Sequence, residues 1–471
     1  MRALYNVVLH LALPLVLLRL WWRGRREPGY RVDWAQRFGR YAPWPVPGLL
    51  TAQHTEQAVE QAVEQAARQA ARQAAGQAAN PASSARQPLI WLHAVSLGET
   101  LAAQPLIAAL RARYPQHRLL VTHMTATGRE AAERLYGRET GSQAESAAGG
   151  NTDHAALIAF LPYDLSWAVN QFFDHFAPVL GIVMETEVWP NLFHAAQARG
   201  MPLLLANARM SEKSYAGYQR FRSWLRPAFG ALQVCAQSAA DAARLSDLGA
   251  RLMMVTGNLK FDTAPAAAPA AQVQALRQMA GTRPVFLAAS TREGEEELLL
   301  DGLTRHPLDD ATIIIVPRHP QRFDAVAALL ARRGLTYVRR SENRALPARC
   351  NILLGDSMGE MPAYYAVADC AFIGGSLVPV GGQNMIEAAA LGVPALFGPH
   401  TFNFAEAAQQ AVAVGAAIRV VDADGVCTQA AALLRDAARR SAMGEAGRAF
   451  CAAHRGATAR TMEAVERLLV P

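Results

Sequence analysis

Five stretches carry residue types that suit group-transfer chemistry. In LIWLHAVSLGET an apolar run ends in a Ser-x-Gly-Glu turn, which places Glu99 where a strand stops and a helix begins. A carboxylate there is favoured by the helix dipole, and it also has the form of a general base if an acceptor hydroxyl comes within reach. Spacing by itself is compatible with either role. IVMETEVWPN ends a second apolar run with Glu185 and Glu187, two residues apart. In extended chain these point to the same side, with one facing a cleft while the other binds backbone or arginine, or with both in a salt-bridged loop. Lys260, in GNLKFD, and Arg318 with His319, in IIIVPRHP, are cations at the ends of apolar runs. Such residues serve as phosphate contacts or as solvated turns.

The fifth stretch is CAFIGGSLVPVGGQNMIEAAAL. Gly374, Gly375, Gly381 and Gly382 lie between an apolar run and a helix that starts near Asn384. Glycine-rich backbone leading to a helix start makes an anion site. Glu387, one turn into that helix, suits the diol of a ribose. No GK[ST] follows the glycines and no GxGxxG follows the first run, which weakens the ATPase and dinucleotide-dehydrogenase readings. The sequence contains no HExxH and no DxD pair placed for a sugar nucleotide, so no metal or other cofactor is implied. Ser290 to Glu296 (STREGEE) has the composition of a capped helix start. Arg209, Lys213, Arg220, Arg222 and Arg226 form a basic stretch that is either a solvated face or a site for an anionic acceptor.

These residues need elements to hold them. Short apolar runs lie at 89–93, 119–122, 159–161, 179–184, 203–206, 232–235, 253–256, 285–288, 313–316, 351–354, 370–373 and 395–397. Most are unbroken rather than alternating, as expected of parallel strands covered on both faces, and helix-like segments separate them. This repetition predicts doubly wound α/β sheets in two similar halves, with ligand in the cleft between them. The boundaries expected are 1–26 for an N-terminal helix and collar, 27–240 for the first domain and 241–471 for the second. Residues 56–80, built on a four-residue EQAV/EQAA/RQAA repeat, read as a low-complexity insert, and 137–153 as a loop.

The chain has 471 residues, 51% of them hydrophobic and 18% charged, enough for two sizeable cores. Its 46 basic and 39 acidic side chains give a formal charge of +7, too mild to argue for nucleic acid. Five scattered cysteines without a CxxC pair exclude a disulfide framework and fit a reducing compartment. Residues 4–22 are almost wholly apolar, and Arg23, Arg25 and Arg26 follow at once. A cleaved signal peptide fits poorly, since no small-residue cleavage site follows. A helix in or on a membrane fits better, with tryptophans and arginines at headgroup level and the bulk of the chain on the cytoplasmic side.

Taken in order, LRLWWRGRREPGYR, HAVSLGETLAA, METEVWPNLF, ANARMS, TGNLKFD, ASTREGEEE, VPRHPQRF, GDSMGEM, GGSLVPVGGQN and FGPHTFNF resemble the 3-deoxy-D-manno-octulosonic acid (Kdo) transferases of lipopolysaccharide biosynthesis. The resemblance covers nearly the whole chain apart from its two inserts. It implies a GT-B fold of two Rossmann-like domains facing a central cleft. It also implies inverting, metal-independent transfer of Kdo from CMP-Kdo to a lipid A precursor, at the cytoplasmic face of the inner membrane. By position, it implies Glu99 as general base, and Glu185 and Lys260 as transition-state stabilisers. Pro317 and Arg318, Met358, Gly359 and Glu360, and Asn384, Met385, Ile386 and Glu387 match the CMP-binding segments. Arg292 stands where the family has histidine, Gln383 where histidine is common, and Met385–Ile386 where Pro-Leu is usual.

Overall fold

The computed structural model describes residues 2–42, 87–137, 155–263 and 268–469. The expected insert at 56–80 lies outside them, as does the expected loop except for its first residue. Among the described residues fourteen strands form two seven-stranded sheets, every pair parallel. The first sheet holds β1 (Leu89–His93), β2 (Arg118–His123), β3 (Leu157–Phe160), β4 (Leu180–Met184), β5 (Leu203–Ala208), β6 (Leu232–Ala236) and β7 (Arg251–Val255), in the order β3-β2-β1-β4-β5-β6-β7. The second holds β8 (Val285–Thr291), β9 (Thr312–Pro317), β10 (Tyr337–Arg339), β11 (Ile352–Leu354), β12 (Cys370–Ile373), β13 (Ala395–Phe397) and β14 (Ala417–Arg419), in the order β10-β11-β9-β8-β12-β13-β14. Each sheet is a Rossmann-like sheet whose winding reverses once, between β1 and β4 in the first and between β8 and β12 in the second. Ligands bind beyond the carboxyl ends of strands at such reversals.

All twelve apolar runs are strands. β10 and β14 were not expected. Each has only three residues and lies at an edge of the second sheet, where one side of the strand has no neighbour to demand apolar residues. The first compact unit comprises Met1–Leu259 and Thr458–Pro471, the second Lys260–Ala457. A boundary at 240/241 would cut the helix Ala239–Asp247 and separate β7 from the sheet it completes. The chain's last segment returns to the first unit, where Arg460 Nε donates to the Thr256 carbonyl at 2.8 Å and Arg113 pairs with Glu466 at 2.8 Å.

The core of the first unit packs around Trp91, fully buried in β1, with Phe172, Phe173 and Phe193. Trp91 Nε1 donates to Thr122 Oγ1 at 2.7 Å. Gly181 of β4 lies against the Trp91 ring, and a Cβ there would approach it to 2.8 Å, so β1 and β4 pack flush only with glycine. That fit sets the position of the strand pair from which Glu99 and Glu185 emerge.

Candidate functional site

At the first reversal His93 pairs with Val183, the last matched pair before both strands end. The chain leaves β1 through Ser96, in extended conformation, into the helix Leu97–Ala102, and Glu99 sits in its first turn. Its carboxylate folds back over the turn: Oε2 accepts from the Val95 amide at 2.8 Å and Oε1 from Ser96 Oγ at 3.0 Å. Glu99 therefore does bind the helix start, as a capping acid would, and is largely desolvated in doing so. After β4 the backbone turns left-handed at Glu185, φ 56°, with its amide donating to the Ala206 carbonyl at 2.9 Å. Such a φ is uncommon for a non-glycine residue and is found where surrounding structure enforces it. Burial, helped by the charges of Glu185 and Glu187 and opposed by the Val95 and Ser96 hydrogen bonds, pushes the Glu99 pKa up to about 8. Glu187 is raised as well, chiefly by burial, against the 3.0 Å bond from Trp189 Nε1. Burial holds the imidazoles of His93 and His123, at the ends of β1 and β2, neutral with pKa pushed down to about 3 and about 4. A carboxyl that titrates near neutrality at a strand end has the properties of a general base.

At the second reversal β8 carries a bulge between Ala289 and Thr291, with Ser290 left-handed at φ 56°. Gly374 follows β12 so closely that a Cβ would stand 2.3 Å from the Ser290 carbonyl oxygen. Part of the glycine-rich turn binds a carboxylate of the protein's own. Glu295, fully buried at the start of the helix Glu295–Arg305, accepts from the Gly375, Ser376 and Leu377 amides at 2.6, 2.9 and 2.9 Å, and from the Arg292 amide at 2.9 Å. This corrects the expectation that the whole run is open to a ligand: the amides of Gly375, Ser376 and Leu377 are taken by an internal carboxylate, and that of Gly374 by the Ala289 carbonyl.

The second pair leads to Asn384, whose Oδ1 accepts from the Ile386 amide at 3.1 Å while Nδ2 donates to Glu387 Oε1 at 2.9 Å. Arg318, just past Pro317 at the end of β9, donates from Nε to Gln383 Oε1 at 3.2 Å. Burial works against its charge and Glu387 supports it. Burial raises Glu387 in turn, opposed by Asn384 and Arg318. Arg292 Nη1 contacts His319 Nε2, and burial together with Arg292, Arg318 and Arg322 pushes the His319 pKa down. The result is an arginine cluster around a neutral imidazole, suited to an anionic ligand.

Other expected donor contacts take different positions. Met385 and Ile386 bury their side chains in the core, so they offer a ligand main chain only. Met358 is exposed, Gly359 is left-handed at φ 79°, and Glu360 pairs with Arg340 at 3.0 Å. The helix Met361–Val367 follows directly and brings the buried Tyr365 near Glu387 and Arg318. Lys260 opens the second unit in the short turn Leu259–Phe261, with Nζ 4.9 Å from the centre of the Phe404 ring. Among the described residues no group of three or more His, Cys, Asp or Glu side chains is arranged to hold a metal ion.

Residues 33–263 match the family model of 3-deoxy-D-manno-octulosonic-acid transferase. The 3-deoxy-D-manno-octulosonic acid transferase of Bordetella pertussis is 42% identical over 99% of this chain and 99% of its own. The chain belongs to the Kdo transferase family. It is a glycosyltransferase. The Haemophilus influenzae Kdo transferase is 34% identical over 81% of this chain and 87% of its own. A glycosyltransferase from Rickettsia africae superimposes with a TM-score of 0.56 at 11% identity, over 82% of this chain and 99% of its own, and the two share the GT-B fold.

Two residues of these sites were not singled out from the sequence. Glu295 is one acid among three in a helix first turn, and nothing in that composition tells which of them binds the glycine-rich turn. Asn207, fully buried and left-handed at φ 54°, accepts at Oδ1 from the Leu259 amide at 3.0 Å and so holds the turn that carries Lys260. An asparagine after an apolar run tolerates that backbone, which is the one signal the sequence offers.

Proposed function

We propose that this enzyme transfers Kdo from CMP-Kdo to a lipid A precursor, lipid IVA, with inversion at the anomeric carbon and without a metal or other cofactor, at the cytoplasmic face of the inner membrane. The observation that carries this reading is Glu99 at the first sheet's reversal, with a pKa of about 8. Glu99 takes the proton of the acceptor hydroxyl as its oxygen bonds to the anomeric carbon. The bond from that carbon to the phosphate oxygen breaks, and CMP leaves with the electron pair. Arg318 and the main chain from Asn384 to Glu387 hold the nucleotide and its growing charge. Arginines in this role supply the electrostatic stabilisation that a metal gives elsewhere. Pro317 and the segment Met358, Gly359 and Glu360 complete the nucleotide contacts, and Glu185 and Lys260 steady the transition state.

A cavity of about 270 Å³ in the first unit supports a lipid acceptor, since Tyr5 of the N-terminal helix lines it together with Pro190, His194 and Trp224. The test is incubation of the full chain with CMP-Kdo and lipid IVA, with and without a chelator, followed by mass spectrometry of the lipid. The expected result is Kdo added to the lipid and CMP released equally in both. Consumption of a different nucleotide sugar would point instead to another GT-B transferase with a lipid-linked acceptor.

A further inference from the structure

The N-terminal helix Arg2–Arg26 is long and apolar enough to cross a membrane by length and composition. Its contacts argue for a different placement. Near its start, Tyr5 Oη donates to Asp164 Oδ2 at 2.9 Å, Asn191 Nδ2 donates to Asn6 Oδ1 at 2.6 Å, and the Tyr5 and Trp224 rings lie 5.6 Å apart. Near its end, Leu20 is buried with Tyr30 and Ala126, Val16 packs on the same cluster, and the Arg23 guanidinium lies 4.3 Å from the centre of the Tyr30 ring. Between these ends Leu9, Leu13 and Val16 are half-buried, so one stripe of the helix lies along the first unit for its whole length. From Tyr5 to Leu20 this stripe covers roughly 22 Å.

An upright helix would carry that contact line through most of a hydrocarbon core about 30 Å thick. The wall of the first unit would have to follow it. That wall includes Asp164, whose carboxylate also accepts from the Asn191 and Leu192 amides at 3.0 and 2.9 Å at the start of the helix Pro190–Ala198. Irregular backbone and a carboxylate do not sit in hydrocarbon facing lipid. The opposite stripe runs through Leu4, Val8, Leu11, Leu15, Leu18 and Trp22, spaced three and four apart and each at least half exposed. At one end of it Arg19 and Arg25 are exposed, and the Arg25 guanidinium stacks 3.9 Å from the Trp21 ring. No acidic residue lies within the helix. A lipid surface with anionic headgroups complements this face, because an apolar row meets acyl chains while arginines and tryptophans sit at headgroup depth.

We propose that this helix is an in-plane anchor, lying flat in one leaflet with its Leu4-to-Trp22 row inserted and the first unit riding on its other side. The proposal rests on the membrane reading of the function above. It is tested with Leu4→Cys, Leu11→Cys and Leu18→Cys, each carrying an environment-sensitive fluorophore. The five native cysteines are buried and leave these sites to the label. The labelled full chain is bound to phosphatidylethanolamine/phosphatidylglycerol vesicles that carry nitroxide quenchers at shallow or deep positions. The expected result is equal, shallow quenching at all three sites. Deep quenching at position 11 with shallow quenching at 4 and 18 means a spanning helix and overturns the proposal. No lipid quenching at any site, with the protein left in solution, overturns the membrane reading itself along with it.

Discussion

The two sheets share a winding rule and differ in what they place at its reversal. Beyond β1 and β4 the first unit sets out carboxylates, Glu99, Glu185 and Glu187, over neutral histidines, and burial, with the neighbouring carboxylates behind it, raises the Glu99 pKa to about 8. Beyond β8, β9 and β12 the second unit sets out Arg292, Arg318 and Arg322. Its strategic carboxylate, Glu295, is turned inward to bind four backbone amides. Topology thus determines where a site forms, and a few side chains determine whether it accepts a proton or an anion. The same residue type does opposite work in the two units. Glu99 is held by a hydroxyl and one amide and keeps a raised pKa, whereas Glu295 accepts from four amides and becomes part of the frame.

The most damaging substitution on this comparison is Glu99→Gln. Removing a general base costs typically 10²- to 10⁴-fold in rate, so turnover is expected to fall by about that much while CMP binding stays near wild type. Calorimetric titration with CMP beside a radiolabelled transfer assay separates the two. Near-wild-type transfer would remove Glu99 from the chemistry and leave it a capping acid. Next is Glu295→Gln, which takes the charge from the acceptor of four amide hydrogen bonds. Hydrogen bonds to charged groups contribute about 1.5–3 kcal/mol each, and an amide side chain retains only some of them. The second unit is expected to lose about 3 kcal/mol, read as a lower unfolding midpoint in urea. An unchanged midpoint would mean that the turn holds itself and is free for ligand. Arg318→Ala follows. It is expected to weaken CMP binding by about 10- to 100-fold without moving the pH profile of transfer, because its work lies on the leaving-group side.

The strands were legible because each is a short apolar run between helices, a pattern that parallel strands buried on both faces impose. β10 and β14 were not, since three-residue edge strands carry no such run. Glu99 and Arg318 were legible as residues at strand ends. Their working state was not, because the pKa of Glu99 depends on Glu185, 86 positions later in the chain and adjacent only once β4 pairs with β1. The glycine-rich turn was legible as backbone that can hold an anion, but composition does not tell an internal carboxylate such as Glu295 from an external ligand. The boundary expected at 240/241 falls between the runs at 232–235 and 253–256, because an apolar run does not say which sheet it joins, and β7 pairs with β6.

The smallest expected effect is also the most specific. Glu185 is one of the charges that raise Glu99, second to burial. Glu185→Gln removes that charge and leaves the burial, so the pKa of Glu99 falls part of the way back toward its ordinary value. A general base works only when ionised, so in wild type kcat/KM is expected to rise with pH through about 8. In the variant this rise is displaced to lower pH, whatever happens to its height through the loss of a transition-state contact. The same coupling appears in stability. Between pH 4.5 and about 8 folded Glu99 keeps a proton that the unfolded chain has lost. Its contribution is therefore full below 4.5 and lost as pH rises through 8. Glu99→Gln abolishes this fall, and Glu185→Gln makes it smaller by bringing its upper end to lower pH. Urea unfolding across this window, set beside the pH–rate profile, gives two independent readings of one proton. A rate profile that stays in place in Glu185→Gln while its height drops would assign Glu185 to the transition state alone and leave burial as the cause of the raised pKa of Glu99.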